Sequence, residues 1–141
     1  MSKRRVVITG IGMVSPVGNS AAESWGNIIS GQSGVSNISK FETEGFETKF
    51  AATVNINIEE FLEKKEIRRI DEFIQYGLIA SDECVNDSKL NLDEENLDRI
   101  GVSIGSGIGG LSTIENNKVL LNERGPKKIS PFFVPGAISN M

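Results

Sequence analysis

Short apolar runs along the chain predict three β-strands. The first, Arg5–Thr9, is rich in β-branched residues and is followed by Gly10, a typical strand boundary. Similar runs at Phe50–Val54 and Ile100–Ile104 predict two further strands. The stretch Gln32–Lys49 mixes glycine, serine, asparagine and threonine, and we interpret it as a connection.

Segments with helical spacing of apolar residues alternate with these apolar runs. Ser20 and Glu23 have the spacing of a capping box, and the helix they open is expected to be amphipathic and to stop at Gly31. Apolar and small residues recur at intervals of three and four over Ile70–Lys89, which predicts the longest helix. Gly77, in the middle of this stripe, indicates another backbone packed closely against the helix. A further helix is expected to follow Leu111.

The order of strand, glycine loop and helix predicts an α/β fold. The 141 residues are enough for one compact domain, and we find no repeat or linker that marks a second one. The segment from Ile129 to Met141 is apolar and contains two prolines. So much apolar surface needs a partner, so residues 1–141 are expected to be a piece of a larger structure.

Composition excludes several classes of protein. The net charge of −4 argues against a general nucleic-acid binder. No apolar run approaches the ~18 residues of a membrane span, and the first residues lack a secretion signal, so we expect a cytoplasmic protein without a membrane partner. A single cysteine cannot form an internal disulfide, and no metal site is predicted.

Two glycine patterns suggest a dinucleotide site as an alternative. Gly10-Ile11-Gly12 follows the first predicted strand, and the stretch Gly105–Gly110 fits G-x-G-x-x-G between a strand and a helix. Neither is followed at about 20 residues by the acidic residue that binds the ribose. Glycines that allow tight turns explain most of the pattern. Tight turns do not explain Ile108, which is an apolar residue among glycines. Its side chain could face a pocket.

Positive charge is concentrated in two places on an otherwise acidic chain. One patch lies at residues 64–69 and the other at residues 124–128. Such patches can steer an acidic partner to one face of a protein that repels acidic proteins elsewhere. The alternative is a solvated helix face, with Glu63 and Glu66 as ion-pair partners.

Six sequence blocks, in this order and spacing, resemble the N-terminal part of the β-ketoacyl-acyl-carrier-protein synthases, the condensing enzymes of fatty acid synthesis. The resemblance runs from end to end of the chain. It implies a thiolase-like fold, in which mixed sheets enclose layered helices, and of which this chain is the incomplete N-terminal half. The blocks are Arg4–Gly10, Ser15–Asn19, Gly31–Gly34, Asp71–Gly77, Ile104–Gly110 and Lys128–Pro135.

The resemblance also implies roles for particular residues. Ile108 is expected to line and gate the acyl channel, and Ile129 and Phe133 to reach the pocket of the neighbouring subunit of a homodimer. The alternative for these three is ordinary core packing. Substrates are expected to arrive on the phosphopantetheine of the acyl carrier protein, with no other cofactor. The residues expected to bind the carrier are Lys65, Arg68, Arg69, Lys127 and Lys128.

No catalytic residue is expected within this chain. The chain has no histidine, and Cys84 lies on the apolar stripe of the longest predicted helix, where a thiol forms little thiolate. The family's catalytic cysteine and histidines lie downstream of the matching region. The chain alone is therefore expected to be inactive, and a non-extending partner of a true synthase remains an alternative.

Overall fold

The computed structural model describes residues 4–139, which form two compact units. The first unit combines the residues up to Ile56 with Ile79–Leu90, and the second combines Asn57–Leu78 with the residues from Asn91 onwards. Ile79 and Ala137 are the buried apolar residues of the described chain. Helices dominate both units, and the two β-strands of the described residues lie in the first.

The first unit begins with an extended segment and then forms helix α1, Ala21–Ile29. Ser20 caps this helix as predicted, its hydroxyl accepting the N–H of Glu23 at 3.1 Å. The Glu23 carboxylate accepts the N–H of Asn19 at 2.7 Å, and Gly31, at φ 73°, ends the helix. The helix and its stop are confirmed.

Helix α1 does not bury its large apolar side chains among the described residues. Trp25 and Ile29 are both about two-thirds exposed, whereas Ser24 is fully buried. The Ser24 hydroxyl lies 2.8 Å from that of Ser15 and donates to the main-chain oxygen of Gly18 at 3.2 Å. A Cβ on Gly18 would lie 2.5 Å from the Ser24 nitrogen, so α1 approaches this turn through its small residues.

Strands β1, Val35–Asn37, and β2, Phe50–Ala52, form an antiparallel pair in the first unit. The second strand begins where the sequence predicted one but ends two residues earlier. The first lies in the stretch interpreted as a connection, so that interpretation was wrong for three residues. Its signal is weak because only Val35 in it is apolar.

The strands predicted at Arg5–Thr9 and Ile100–Ile104 do not form among the described residues. Both segments lack assigned secondary structure, and their apolar side chains are largely exposed, Val6 at 93% and Val102 at 85%. A β-strand needs a neighbour to receive its main-chain hydrogen bonds, and within residues 4–139 neither segment has one. The sequence identified strand-forming residues without their pairing.

Helix α3, Glu72–Ser88, confirms the longest predicted helix and contributes residues to both units. The backbone expected beside Gly77 is not found among the described residues, because no atom outside its own helix backbone and chain neighbours lies within 4 Å of the Cβ it would carry. The close approach occurs instead at Gly10 and Gly12. A Cβ on either would overlap a main-chain oxygen of α3, that of Cys84 or of Ala80.

Acidic side chains of α3 hold the same segment by its main-chain N–H groups. Asp87 accepts the N–H of Ile11 at 2.9 Å, and Glu83 accepts that of Met13 at 2.7 Å. Glu83 also accepts the N–H of Ala21, the first residue of α1, at 2.8 Å. This packing against α3 explains the first glycine pattern without a nucleotide.

The second unit contains the short helix α2, Lys64–Ile67, and three further elements near the end of the chain. Helix α4, Leu111–Arg124, is the helix predicted after Leu111. A 3₁₀ turn at Pro126–Lys128 and helix α5, Phe133–Ala137, follow it. Two other 3₁₀ turns, Ile58–Glu60 and Leu97–Arg99, complete the described secondary structure. None of the helices in residues 4–139 combines the length and apolar character needed to cross a bilayer.

Candidate functional site

The predicted carrier-binding residues of the first basic patch lie around the end of α2. Arg68 is the C-cap of this helix, and Arg69 follows it. The buried side chain of Gln75, on α3, fixes the turn by donating from Nε2 to the main-chain oxygens of Ile67 and Ile70, at 3.3 and 2.9 Å. The two arginines therefore start from a backbone that is tied to α3.

Little of the positive charge in this patch is neutralised. Lys64 forms an ion pair with Glu59 at 3.0 Å, and both side chains are mostly exposed. Glu63 and Glu66, the ion-pair partners of the solvated-face alternative, form no ion pair with described residues, and that alternative stays open. Within residues 4–139, the other basic residues of this patch likewise form no ion pair: Lys65, Arg68 and Arg69.

A cavity of about 170 Å³ lies beside the two arginines in the second unit. Phe133, predicted to belong to the acyl pocket, lines it together with Arg68 and Arg69. The guanidinium of Arg69 lies 4.7 Å from the ring centroid of Phe132, a cation–π geometry that holds the arginine against the apolar wall. The cavity is also lined by Ile70, Thr113, Asn116, Asn117, Ser130 and Phe132.

The second basic patch stands apart from this cavity. Lys127 and Lys128 belong to the 3₁₀ turn after Gly125, are exposed, and are absent from the cavity wall. Ile129 is half-buried and also lies outside the wall. The structure thus brings together three of the eight predicted residues, and the roles of all eight stay predictions.

Ile108 lies in the glycine loop ahead of α4 and is 74% exposed. The hydroxyl of Ser106 accepts the N–H of Gly109 at 3.2 Å, which closes the loop around Ile108. Gly109 has φ 93°, a conformation that favours glycine. An exposed apolar side chain on such a loop argues against core packing for Ile108 within the described residues.

A larger cavity, of about 660 Å³, lies between the start of α3 and the loop that precedes α4. Sequence reasoning did not identify it, although Gly77 carried the signal. Among the described residues, Gly77 forms part of the wall of this cavity. The wall comprises Phe73, Ile74, Tyr76, Gly77, Leu78, the residues 102–106, Ile138 and Ser139.

Two polar residues that organise the smaller cavity were also missed. Asn117 is buried, donates to the Thr113 oxygen at 2.8 Å and accepts the N–H of Ser130 at 3.4 Å. Its position at helical spacing between Ile114 and Leu121 placed it on the apolar stripe of α4, which was a usable signal. The second residue, Asp71, accepts the N–H of Thr113 at 2.9 Å.

The chain contains one cysteine and no histidine. Cys84 is half-buried on α3, and its thiol donates to the main-chain oxygen of Gly10 at 3.3 Å. No group of three or more potential metal ligands occurs in the described part of the chain. The residues brought together around the smaller cavity include basic, polar and apolar side chains.

We compared the chain with known protein families and with curated proteins. The family model described as "Beta-ketoacyl synthase, N-terminal domain" matches residues 3–141. A 3-oxoacyl-acyl-carrier-protein synthase 2 from Vibrio cholerae is 54% identical over all of this chain and 34% of its own length. A protein of the same name from Staphylococcus aureus is 45% identical over 98% of this chain and 34% of its own length. The chain thus spans about a third of these curated relatives.

Solved structures agree on the fold. An ishigamide ketosynthase/chain length factor superposes with a TM-score of 0.76 at 24% identity, covering 97% of this chain and 34% of its own. A ketosynthase structure described as a complex with a type II PKS acyl-carrier protein gives a TM-score of 0.73 at 23% identity, covering 96% of this chain and 35% of its own. The fold is therefore the thiolase-like fold of ketosynthases, present in part. Because the family model matches residues 3–141 and the fold agrees, the chain belongs to the β-ketoacyl synthase family, whose N-terminal domain it matches.

Proposed function

We propose that these residues form the N-terminal third of a β-ketoacyl-acyl-carrier-protein synthase II, which elongates fatty acids by decarboxylative condensation. The chain contributes the carrier-docking surface and part of the acyl pocket. The observation that carries this proposal is the shared cavity of Arg68, Arg69 and Phe133, which joins predicted docking residues to a predicted pocket residue. Similarity over the whole chain to relatives named 3-oxoacyl-acyl-carrier-protein synthase 2 supports it.

The docking surface suits an acidic carrier protein. Arg68 and Arg69 present charges that no described carboxylate neutralises, on a protein whose net charge is −4. An acidic partner is therefore attracted to this patch and repelled elsewhere, over a Debye length of about 10 Å at 0.1 M salt. Lys65, Lys127 and Lys128 extend the surface, and the phosphopantetheine arm enters beside it.

The acyl chain is assigned to apolar side chains. Ile108 gates the channel, and Ile129 and Phe133 reach the pocket of the second subunit of a cytoplasmic homodimer. Phe133 is the first residue of α5 and is half-buried. It lines the same cavity as Arg69 and Phe132, so a predicted pocket residue adjoins a docking residue.

The reacting groups come from outside these residues. A cysteine thiolate takes the acyl group from the carrier thioester and releases the carrier thiol. Malonyl-carrier then loses CO₂, and the resulting carbanion attacks the acyl-enzyme thioester to form the new carbon–carbon bond and expel the cysteine thiolate. Histidines, a lysine and main-chain N–H groups stabilise the charge that develops.

Condensation assays test the proposal. We expect the full-length protein to condense acyl-carrier with malonyl-carrier, releasing CO₂ in step with 3-oxoacyl product, and residues 1–141 alone to show no turnover. Turnover by residues 1–141 would contradict the proposed division of roles. A full-length protein that only decarboxylates malonyl-carrier would instead support the alternative of a non-extending partner.

A further inference from the structure

Three segments of the second unit meet at one junction. The N–H of Asp71 donates to the Gly136 oxygen at 3.2 Å, and the N–H of Gly110 donates to the Ala137 oxygen at 2.8 Å. Two of these contacts require glycine. A Cβ on Gly136 would lie 2.6 Å from the Arg69 oxygen, and a Cβ on Gly110 would lie 2.9 Å from the Ala137 Cα. The main chains are thus packed without intervening side chains.

The carboxylate of Asp71 closes the junction. It accepts the N–H of Thr113, the third residue of α4, at 2.9 Å. A helix usually receives this hydrogen bond from its own N-cap side chain, which Gly110 lacks. The negative charge also lies at the positive end of the α4 dipole. Asp71 therefore fixes the start of α4 from a distance of 42 residues along the chain.

The same residue also anchors the start of α3. Its main-chain oxygen accepts the N–H groups of Ile74 and Gln75, at 3.0 and 3.2 Å. The main-chain oxygen of Asp71 thus binds the first turn of α3, and its carboxylate binds the first turn of α4. A movement of α4 relative to α3 must break the contact between the Asp71 carboxylate and Thr113.

The junction lies close in the chain to three of the residues assigned under the proposed function, Arg69, Ile108 and Phe133. Asp71 comes two residues after Arg69, Gly110 two residues after Ile108, and Gly136 three residues after Phe133. The residues proposed for carrier docking and for acyl selection therefore belong to segments that the same few main-chain contacts hold together.

Resting on the proposed function, we propose that Asp71 is a positioning residue that couples the carrier-docking arginines to the acyl-channel residue Ile108. The carboxylate holds the glycine loop and α4 in register with the Arg68–Arg69 segment. Loss of its charge releases the loop, changes which acyl chains are accepted, and weakens productive binding of the carrier.

Asp71→Asn tests this in the full-length protein, with Glu83→Gln as the matched control. Both substitutions remove the charge from a carboxylate that accepts an N–H at a helix N-terminus, but Glu83 serves α1 in the other unit. We expect Asp71→Asn to raise the KM for acyl-carrier by about three-fold, the size of a helix-terminus charge effect, and to change the product chain-length ratio. Glu83→Gln is expected to lower the melting temperature and to leave the chain-length ratio unchanged.

Gly110→Ala provides a second test that leaves the charge in place. A Cβ there lies 2.8 Å from Asp71 Oδ2, so it pushes the carboxylate away. We expect the same change in the chain-length ratio as with Asp71→Asn. Wild-type ratios in the folded Asp71→Asn and Gly110→Ala proteins would overturn the proposal.

Ile108→Phe and Arg68→Glu in the same assays separate this inference from the proposed function. If these two variants change chain length and carrier binding while both junction variants behave as wild type, the coupling is wrong and the proposed function stands. If Ile108→Phe and Arg68→Glu also behave as wild type, the channel and docking roles on which the inference rests fail.

Discussion

The thiol of Cys84 donates a hydrogen bond to the main-chain oxygen of Gly10, 3.3 Å away and 74 residues earlier in the chain. The contact is possible because Gly10 has no side chain to hold the two main chains apart. Cys84 therefore serves the packing of an extended segment on α3. This agrees with the sequence prediction that the cysteine is structural.

We expect Cys84 to react slowly with iodoacetamide in the folded full-length protein at neutral pH, at least about ten-fold slower than in the denatured protein, because alkylation requires local opening. Peptide mass spectrometry distinguishes Cys84 from any other cysteine. Equal rates in the folded and denatured states would identify an accessible thiol and refute the structural role.

Gly12→Ala should destabilise the first unit by about 1–3 kcal/mol, because the added Cβ overlaps the main-chain oxygen of Ala80. Gly26→Ala is the matched control. Gly26 lies inside α1 with no described atom within 4 Å of its Cβ position, so alanine should stabilise the helix by about 0.5–1 kcal/mol. Thermal unfolding of the full-length variants checks both signs, and a Gly12→Ala protein as stable as wild type would refute the close packing.

If Ile108 gates the acyl channel as proposed, Ile108→Phe should shift the products of the full-length protein to shorter acyl chains, because a larger side chain there shortens the space behind it. Gas chromatography of the released acyl groups measures the profile. Leu111→Phe, on the first turn of α4 and also exposed, serves as the control for a bulky substitution nearby. An identical profile in Ile108→Phe and wild type would remove Ile108 from the channel.

Arg68→Glu should slow association with the acyl carrier protein by about ten-fold at low salt, because the basic patch steers an acidic partner. The difference from wild type should vanish near 1 M salt, where the Debye length is about 3 Å. Lys118→Glu makes the same change of charge on the exposed face of α4 and should have a much smaller effect. Surface plasmon resonance measures both, and equal slowing by the two variants would show a general charge effect.

The sequence predicted local structure well and long-range pairing poorly. Ser20, Glu23 and Gly31 act within one helix, so their spacing was enough to define α1. The run at Arg5–Thr9 depends on a neighbouring strand, which no local pattern reveals. Gly77 shows the same limit, because glycine marks both a close approach and an open space. Only the structure shows that the close approach belongs to Gly10 and Gly12.

The candidate site was also predicted only in part from the sequence. The resemblance supplied Ile108, Phe133 and the basic residues, because recurring sequence blocks preserve order along the chain. It included Asp71 in the block Asp71–Gly77 but did not reveal the contacts of Asp71 and Asn117, which depend on main-chain groups of remote segments. For Asn117 the polar residue on an apolar stripe was a usable warning. For Asp71 the chain offered a resemblance block and an acidic residue at the start of a helix, and neither identifies a partner 42 residues away.

Glu83 and Asp87 look like ordinary surface acids on a protein with an isoelectric point near 4.9. Each nevertheless receives main-chain N–H groups from the segment that runs along α3. Substitutions that change surface charge to improve solubility or crystallisation often target exposed acidic residues of this kind. At Glu83 and Asp87 they would remove the hydrogen bonds that hold that segment against α3. Lys, Arg or Ala at these two sites is a poor choice, whereas Asp82, on the same helix and exposed, is a safer one.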